Sequence, residues 1–260
     1  MKKDKLFIYG HQGEIVWEDP EANLNRYLDI INDLRIKPDI FILPETFSSG
    51  FSNHVEAISE QMDGPTVSAF KDVALKYDMA IGGSMVINEA GKYYNRFLFI
   101  HPNGKVDFYD KRHLFSMSGE DNAYTRGEER IVVEFRGWRI LLQVCYDLRF
   151  PVWSRNQNDY DLIIYTANWP KQRQHVWDTL LKARAIENQC YVFGLNRTGA
   201  DGNQIGYTGG SVFVDPKGML MNSPHGHEAV VAIQMSLSDL KEFREKFPVL
   251  KDGDKFSLME

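Results

Sequence analysis

Four short apolar runs, at residues 39–43, 140–144, 161–166 and 191–195, constrain this chain more than anything else in it. Each has strand length, and apolar residues fill it instead of alternating with polar ones, so each predicts a strand covered on both faces. The segments between them supply the covers. Asp19 as a cap, Pro20 at the first helical position and Glu21 at the positive end of the dipole open a helix. Its buried face is Leu24, Tyr27, Leu28, Ile31 and Leu34. Val67, Phe70, Val73, Ala74 and Tyr77 mark a second helix over 66–77, and 173–188 reads as a third. Ser236-Leu237-Ser238-Asp239 resembles a capping box for a helix that ends before Pro248. Strands are also expected at 6–9, 211–214 and 229–233. Turn signals at Asn88-Glu89-Ala90-Gly91, Pro102-Asn103-Gly104 and Arg136-Gly137 pair others into hairpins. Helix-covered strands mixed with hairpins predict an α/β fold with mixed sheets, and the absence of repeats or linker-like stretches favours a single domain, 1–260.

At 260 residues, folding would bury roughly 73% of the unfolded chain's surface, enough for a core without covalent staples. Two cysteines are too few for a disulfide scaffold. A net charge of −6 removes the usual driver of binding to nucleic acid or to an anionic membrane surface, so neither is expected as a partner. No window approaches the ~18–20 apolar residues of a membrane span, and the apolar run at the start is too short for a secretory signal. A reducing cytoplasm with both thiols free is the expectation.

The seven histidines are scattered, none makes His-Glu-x-x-His, and the cysteines make no Cys-x-x-Cys pair, so no metal is expected. His225-Gly226-His227 follows Pro224 and reads as a solvated turn. Phosphate-binding and dinucleotide glycine patterns are absent, as is Gly-x-Ser-x-Gly. The thiols remain. Cys190, at the end of a helix and before an apolar strand, reads as core packing. Cys145 ends the run Ile140-Leu141-Leu142-Gln143-Val144, where a sharp turn would present a nucleophile beside backbone N–H groups; strand-end cysteines are also common without any such role. A thiol needs a base or a cation nearby to react at neutral pH. Glu45 in Leu43-Pro44-Glu45-Thr46-Phe47 follows a buried strand, and Lys111 in Tyr109-Asp110-Lys111-Arg112-His113-Leu114-Phe115 sits among apolar neighbours.

Those two motifs and Val144-Cys145-Tyr146-Asp147-Leu148-Arg149-Phe150-Pro151, in that order, resemble the nitrilase, or carbon–nitrogen hydrolase, superfamily with its Glu–Lys–Cys triad. The resemblance runs over nearly the whole chain, through Ala183-Arg184-Ala185-Ile186-Glu187-Asn188-Gln189, Asn196-Arg197-Thr198-Gly199 and Asp215-Pro216-Lys217-Gly218. It implies a four-layer α-β-β-α sandwich, a homodimer or higher homo-oligomer, and no metal or organic cofactor. By the same resemblance Cys145 is the nucleophile, Glu45 the general base, and Lys111 the oxyanion partner together with the backbone N–H of Tyr146. Glu120 in Ser118-Gly119-Glu120 takes the place of the second glutamate, which orients Lys111 or positions substrate and water. A C-terminal tail over about 249–260 would reach a neighbouring subunit.

The stretch Thr166-Ala167-Asn168-Trp169-Pro170 with Arg173 most resembles omega-amidases, which act on 2-oxoglutaramate and 2-oxosuccinamate. Such substrates carry a carboxylate remote from the amide, which an arginine fork suits. Arg173 is the first candidate and Arg149 the second, with Phe51, Phe115 and Trp169 as pocket walls or core. The alternatives are another amidase of the superfamily, acting on N-carbamoyl compounds or short aliphatic amides, and a catalytically silent binding protein on the same fold.

Overall fold

Burial of strands on both faces, expected from the four apolar runs, organises the molecule. The computed structural model describes residues 2–258. Its first half comprises β1 (Lys5–Gln12), α1 (Pro20–Asp33), β2 (Ile40–Ile42), α2 (Val55–Ile58), α3 (Pro65–Tyr77), β3 (Ala80–Glu89), β4 (Lys92–Ile100), β5 (Val106–Asp110) and α4 (Glu120–Ala123). The second half holds β6 (Val132–Phe135), β7 (Trp138–Val144), β8 (Leu162–Ala167), α5 (Gln174–Asn188) and β9 (Tyr191–Asn196). It continues through β10 (Thr198–Ala200), β11 (Gly206–Thr208), β12 (Val212–Val214), β13 (Ala229–Ser236) and α6 (Leu237–Lys246).

Two mixed sheets result, of order β13-β1-β2-β3-β4-β5 and β12-β9-β8-β7-β6, with β10 and β11 as a separate ribbon. The centre of each sheet is parallel: β1, β2 and β3 in one, β7, β8 and β9 in the other. Strand alternation then sorts the apolar runs into layers. Ile40 and Ile42 meet Ile140, Leu142, Val144, Leu162 and Ile164 between the sheets. Phe41 and Leu43 face the other way, onto Tyr27, Ile31, Phe70 and Ala74 of α1 and α3. Leu141, Ile163 and Val192 turn outward onto Trp177, Leu181 and Ala185 of α5. The order is therefore helix, sheet, sheet, helix.

The local signals act as expected. Asp19 Oδ1 accepts from the Ala22 N–H at 3.0 Å, and Ser236 Oγ accepts from the Asp239 N–H at 3.2 Å. The hairpins turn on Ala90–Gly91 and Arg136–Gly137, all four at positive φ. Several boundaries shift, among them the end of β13, which runs to Ser236. The third helix starts at Gln174, leaving Arg173 as the last residue of a short 3-10 turn. The first strand runs on through Gly10 to Gln12, paired with Val231, Val230 and Ala229 of β13, and the glycine lets it pass close to β9: a Cβ on Gly10 would lie 2.3 Å from the Phe193 ring. Gln12 then serves the loops, donating to the His225 and His227 carbonyls and accepting from the Ser211 N–H. The His225-Gly226-His227 turn is a loop held in this way.

Of the tail over 249–260, residues 249–252 form a 3-10 turn and 253–258 have no regular structure; Met259 and Glu260 lie outside the described residues. No described helix is long and apolar enough to cross a membrane.

Candidate active site

The parallel centres of both sheets end on the same side of the sandwich, and the functional candidates sit at those ends. Glu45 follows β2, Lys111 follows β5 and Cys145 follows β7. Both Thr46 and Cys145 adopt φ of 43°, a left-handed conformation that β-branched and other non-glycine residues avoid. The surroundings hold Thr46 there, with its N–H on Ser84 Oγ at 2.9 Å. At Cys145 the chain turns from the strand directly into the 3-10 turn Cys145–Arg149. First-turn N–H groups of a helix lack internal partners, and Tyr146, second in this turn, lines the cavity beside Cys145. Glu120 begins α4 after Gly119, whose φ of 75° a side chain would resist.

The structure brings Glu45, Lys111 and Glu120 into one buried cluster beside Cys145. Lys111 Nζ lies 2.9 Å from Glu45 Oε1 and 2.8 Å from Glu120 Oε1. Glu45 Oε2 accepts from the Asn168 N–H at 2.7 Å, and the Asn168 carbonyl oxygen lies 4.0 Å from Cys145 Sγ. Asn168 Nδ2 also donates to the Glu45 carbonyl at 2.9 Å and to Thr46 Oγ1 at 3.0 Å. One residue at the end of β8 thus holds the glutamate loop and touches the thiol.

Burial pushes the Cys145 thiol well above its usual range; the Glu45 carboxylate adds to this and the Lys111 ammonium opposes it. Burial alone would lower Lys111, but Glu120 and Glu45 outweigh it and hold the ammonium well above the usual lysine value. For Glu120, burial raises the carboxyl, Lys111 works against this and Glu45 adds to it, and the balance stays upward. A protonated thiol beside a carboxylate and a permanent cation suits nucleophilic attack with the proton transferred in the same step.

These groups open onto a cavity of about 280 Å³. Phe51, Phe115 and Trp169 line it; Phe51 lies under Lys111 Nζ, with the ring centroid at 5.3 Å. Arg173 and Arg149 line it too. The Arg173 guanidinium sits 5.3 Å over the Phe115 ring and that of Arg149 5.2 Å over Trp169. Neither is ion-paired with a carboxylate among the described residues. Trp169 Nε1 donates to the Arg173 carbonyl at 2.8 Å, fixing the indole against the turn.

Cys190 is fully buried, as its packing role requires. Three residues of the site escape sequence reasoning. Asn168 acts through its main chain and its side-chain amide alike. Asp147, fully buried, accepts from Tyr109 OH (2.8 Å), the His113 N–H (3.1 Å) and the Val144 N–H (2.9 Å), tying the Cys145 turn to the Lys111 loop. Asn95 sits on β4 at the same parity as the buried Phe97 and Phe99. A polar residue at an apolar position was the available signal for it.

The carbon-nitrogen hydrolase family model matches residues 11–245. The chain is 47% identical to the omega-amidase YafV of Yersinia enterocolitica, over 95% of this chain and 96% of that one. It is 29% identical to a 2-oxoglutaramate amidase of Bacillus subtilis, over 93% and 95%. A crystal structure of a CN-hydrolase superfamily protein from Xanthomonas campestris, with an arsenic adduct in its active site, superposes with a TM-score of 0.95. It is 44% identical and covers 99% of this chain and 100% of that one.

Proposed function

The chain belongs to the carbon–nitrogen hydrolase family, a hydrolase of non-peptide carbon–nitrogen bonds, and from that premise we propose that it is a cysteine amidase cleaving ω-amides of small keto acids. The substrates would be 2-oxoglutaramate and 2-oxosuccinamate, the products the acid and ammonia. The observation that carries this reading is the placing of Cys145 and Glu45, both against Asn168, on a small cavity whose wall also holds two arginines that pair with no carboxylate among the described residues. The relatives named as omega-amidase and 2-oxoglutaramate amidase support the choice of substrate.

Cys145 Sγ attacks the amide carbon while its proton passes to Glu45. The oxyanion that forms meets the Lys111 ammonium and the Tyr146 N–H. Collapse breaks the carbon–nitrogen bond, and the proton held by Glu45 leaves with the nitrogen as ammonia. A water then attacks the thioester as Glu45 takes one of its protons; the acid departs and Cys145 recovers its proton. Arg173, with Arg149 beside it, holds the distant carboxylate through a charge-assisted bond. Glu120 keeps Lys111 aimed at the reacting carbon.

Ammonia release from 2-oxoglutaramate by the purified protein tests the reading. Cys145→Ala is expected to lose at least about 10³-fold in rate, as removal of a nucleophile does. Mass spectrometry of acid-quenched turnover is expected to find the acyl group on Cys145. Activity confined to uncharged amides would overturn the substrate, and full activity in Cys145→Ala would overturn the mechanism.

A further inference from the structure

We propose that Asn95 is a positioning residue of this site, its side-chain amide holding the Glu45 and Glu120 carboxylates side by side beneath Lys111. The inference rests on the amidase reading for its catalytic meaning and on geometry for everything else. Asn95 is buried on β4, and its Nδ2 lies 2.9 Å from Glu45 Oε1 and 3.2 Å from Glu120 Oε1. The amide has two N–H groups, and each meets one carboxylate. Its orientation is forced, because a flipped amide would set Oδ1 against two carboxylate oxygens. The opposite end, Oδ1, is buried with no partner among the described residues. A residue chosen for packing at this inward position, beside Phe97 and Phe99, would carry no such orphan. The main chain adds a second tie, since the Asn95 carbonyl accepts the Lys111 N–H at 3.0 Å.

The charge count explains why an amide stands here. Two carboxylates and one ammonium share a dry site, so one negative charge is uncompensated. Like charges so close push one carboxyl toward its protonated form, and Glu120 is raised in this way by burial and by Glu45. A second lysine would neutralise the cluster and blunt Glu45; an aspartate would add a third carboxyl; an aliphatic side chain would leave both oxygens short of a donor. A neutral double donor relieves the repulsion and leaves the charge in place. The titratable groups facing the pair are Lys111 from the end of β5, Cys145 from the end of β7, and the Tyr124 and Tyr207 phenols, both held protonated by burial.

The test is the pH dependence of Cys145 alkylation by iodoacetamide, read alongside kcat/KM for ammonia release and a thermal melt. In Asn95→Ala both carboxylates lose a donor, so the cluster as a whole takes up a proton more readily. The acid limbs of both profiles are expected to move up by about one pH unit, with about a tenfold loss of kcat/KM near neutrality. Asn95→Asp keeps the side chain's size and carries the same test should the alanine variant fail to fold; its added carboxyl is expected to move the limbs further up. A lowered melting temperature with both limbs unmoved would reduce Asn95 to a structural residue and overturn the proposal, as would unchanged rates. Alkylation needs no substrate. A wild-type protein that is inactive on 2-oxoglutaramate, with the alkylation limb still displaced in Asn95→Ala, would overturn the substrate and uphold this role.

Discussion

Lys111 Nζ lies 2.8 and 2.9 Å from the two carboxylate oxygens of Glu120, and both side chains are sealed from solvent. Glu120 grips the ammonium by both oxygens, where Glu45 touches it by one. This division leaves Glu45 the more available of the two carboxylates. Its second oxygen turns to the Asn168 N–H, on the side where the thiol lies.

Glu120→Gln keeps the shape and removes the charge. Burial then lowers Lys111 with Glu45 and Cys145 left to oppose it, so the ammonium deprotonates at lower pH. The alkaline limb of the kcat profile is expected to move to lower pH. The rate should drop by about 10- to 100-fold, in line with about 1.5–3 kcal/mol for a hydrogen bond to a charged group. KM should change little. Steady-state kinetics across pH measures both, and an unmoved alkaline limb would sink the idea that Glu120 sustains the cation.

The layers of this fold were readable because strands buried on both faces leave unbroken apolar runs, as Ile40-Phe41-Ile42 does between two different cores. The short elements were not. The four-residue α2 holds its shape because Val55 and Ile58 pack on Val86 and Tyr124, contacts that no local pattern announces. In the site, the residues whose chemistry lies in their side chains, Glu45, Lys111, Glu120 and Cys145, stood out in their motifs and converge in the structure. Asn168 did not, since its main-chain and side-chain bonds to Glu45 and Thr46 reach more than 120 residues away, and nothing local announces them. Asp147 lay inside a quoted motif, yet its four-way role exists only once β5 and β7 are neighbours across the sandwich.

The two unpaired arginines give a specificity test. Arg173 stands at the pocket wall on a turn braced by Trp169, and the Arg149 guanidinium lies over the same indole. Arg173→Ala is expected to raise KM for 2-oxoglutaramate by about 10- to 100-fold, the size of a lost charge-assisted hydrogen bond. The value for an uncharged amide of similar length should hardly move. Arg149→Ala is expected to show the same pattern more weakly. Equal losses on the charged and uncharged amides would remove both residues from carboxylate recognition.

A last prediction concerns stability. Asp161 stands just before β8, and its Oδ1 accepts from Arg139 Nη2 at 2.8 Å and from Arg244 Nη1 at 2.9 Å. Oδ2 takes the Arg139 main-chain N–H at 3.1 Å, so β7, β8 and α6 are tied at one carboxylate. Burial alone would raise this carboxyl, but the Arg139 hydrogen bond and the charges of Arg139 and Arg244 hold it below the usual aspartate value. A depressed pKa stabilises the fold above the unfolded value, near about 3.9, and that stabilisation is lost as pH falls through the folded one. The wild-type melting temperature should therefore decline as the pH drops below about 4. Asp161→Asn leaves two guanidinium groups without their anion, a loss of about 1–3 kcal/mol for hydrogen bonds to charged groups in a part-buried network. At roughly 2–4 °C per kcal/mol for a chain of this size, the melt at neutral pH should fall by about 2–12 °C. As the pH falls through the lowered value of the folded state the two proteins should converge, because the wild-type carboxyl then becomes neutral as well. A variant that keeps a constant deficit at every pH would show that Asp161 acts by packing and not by charge.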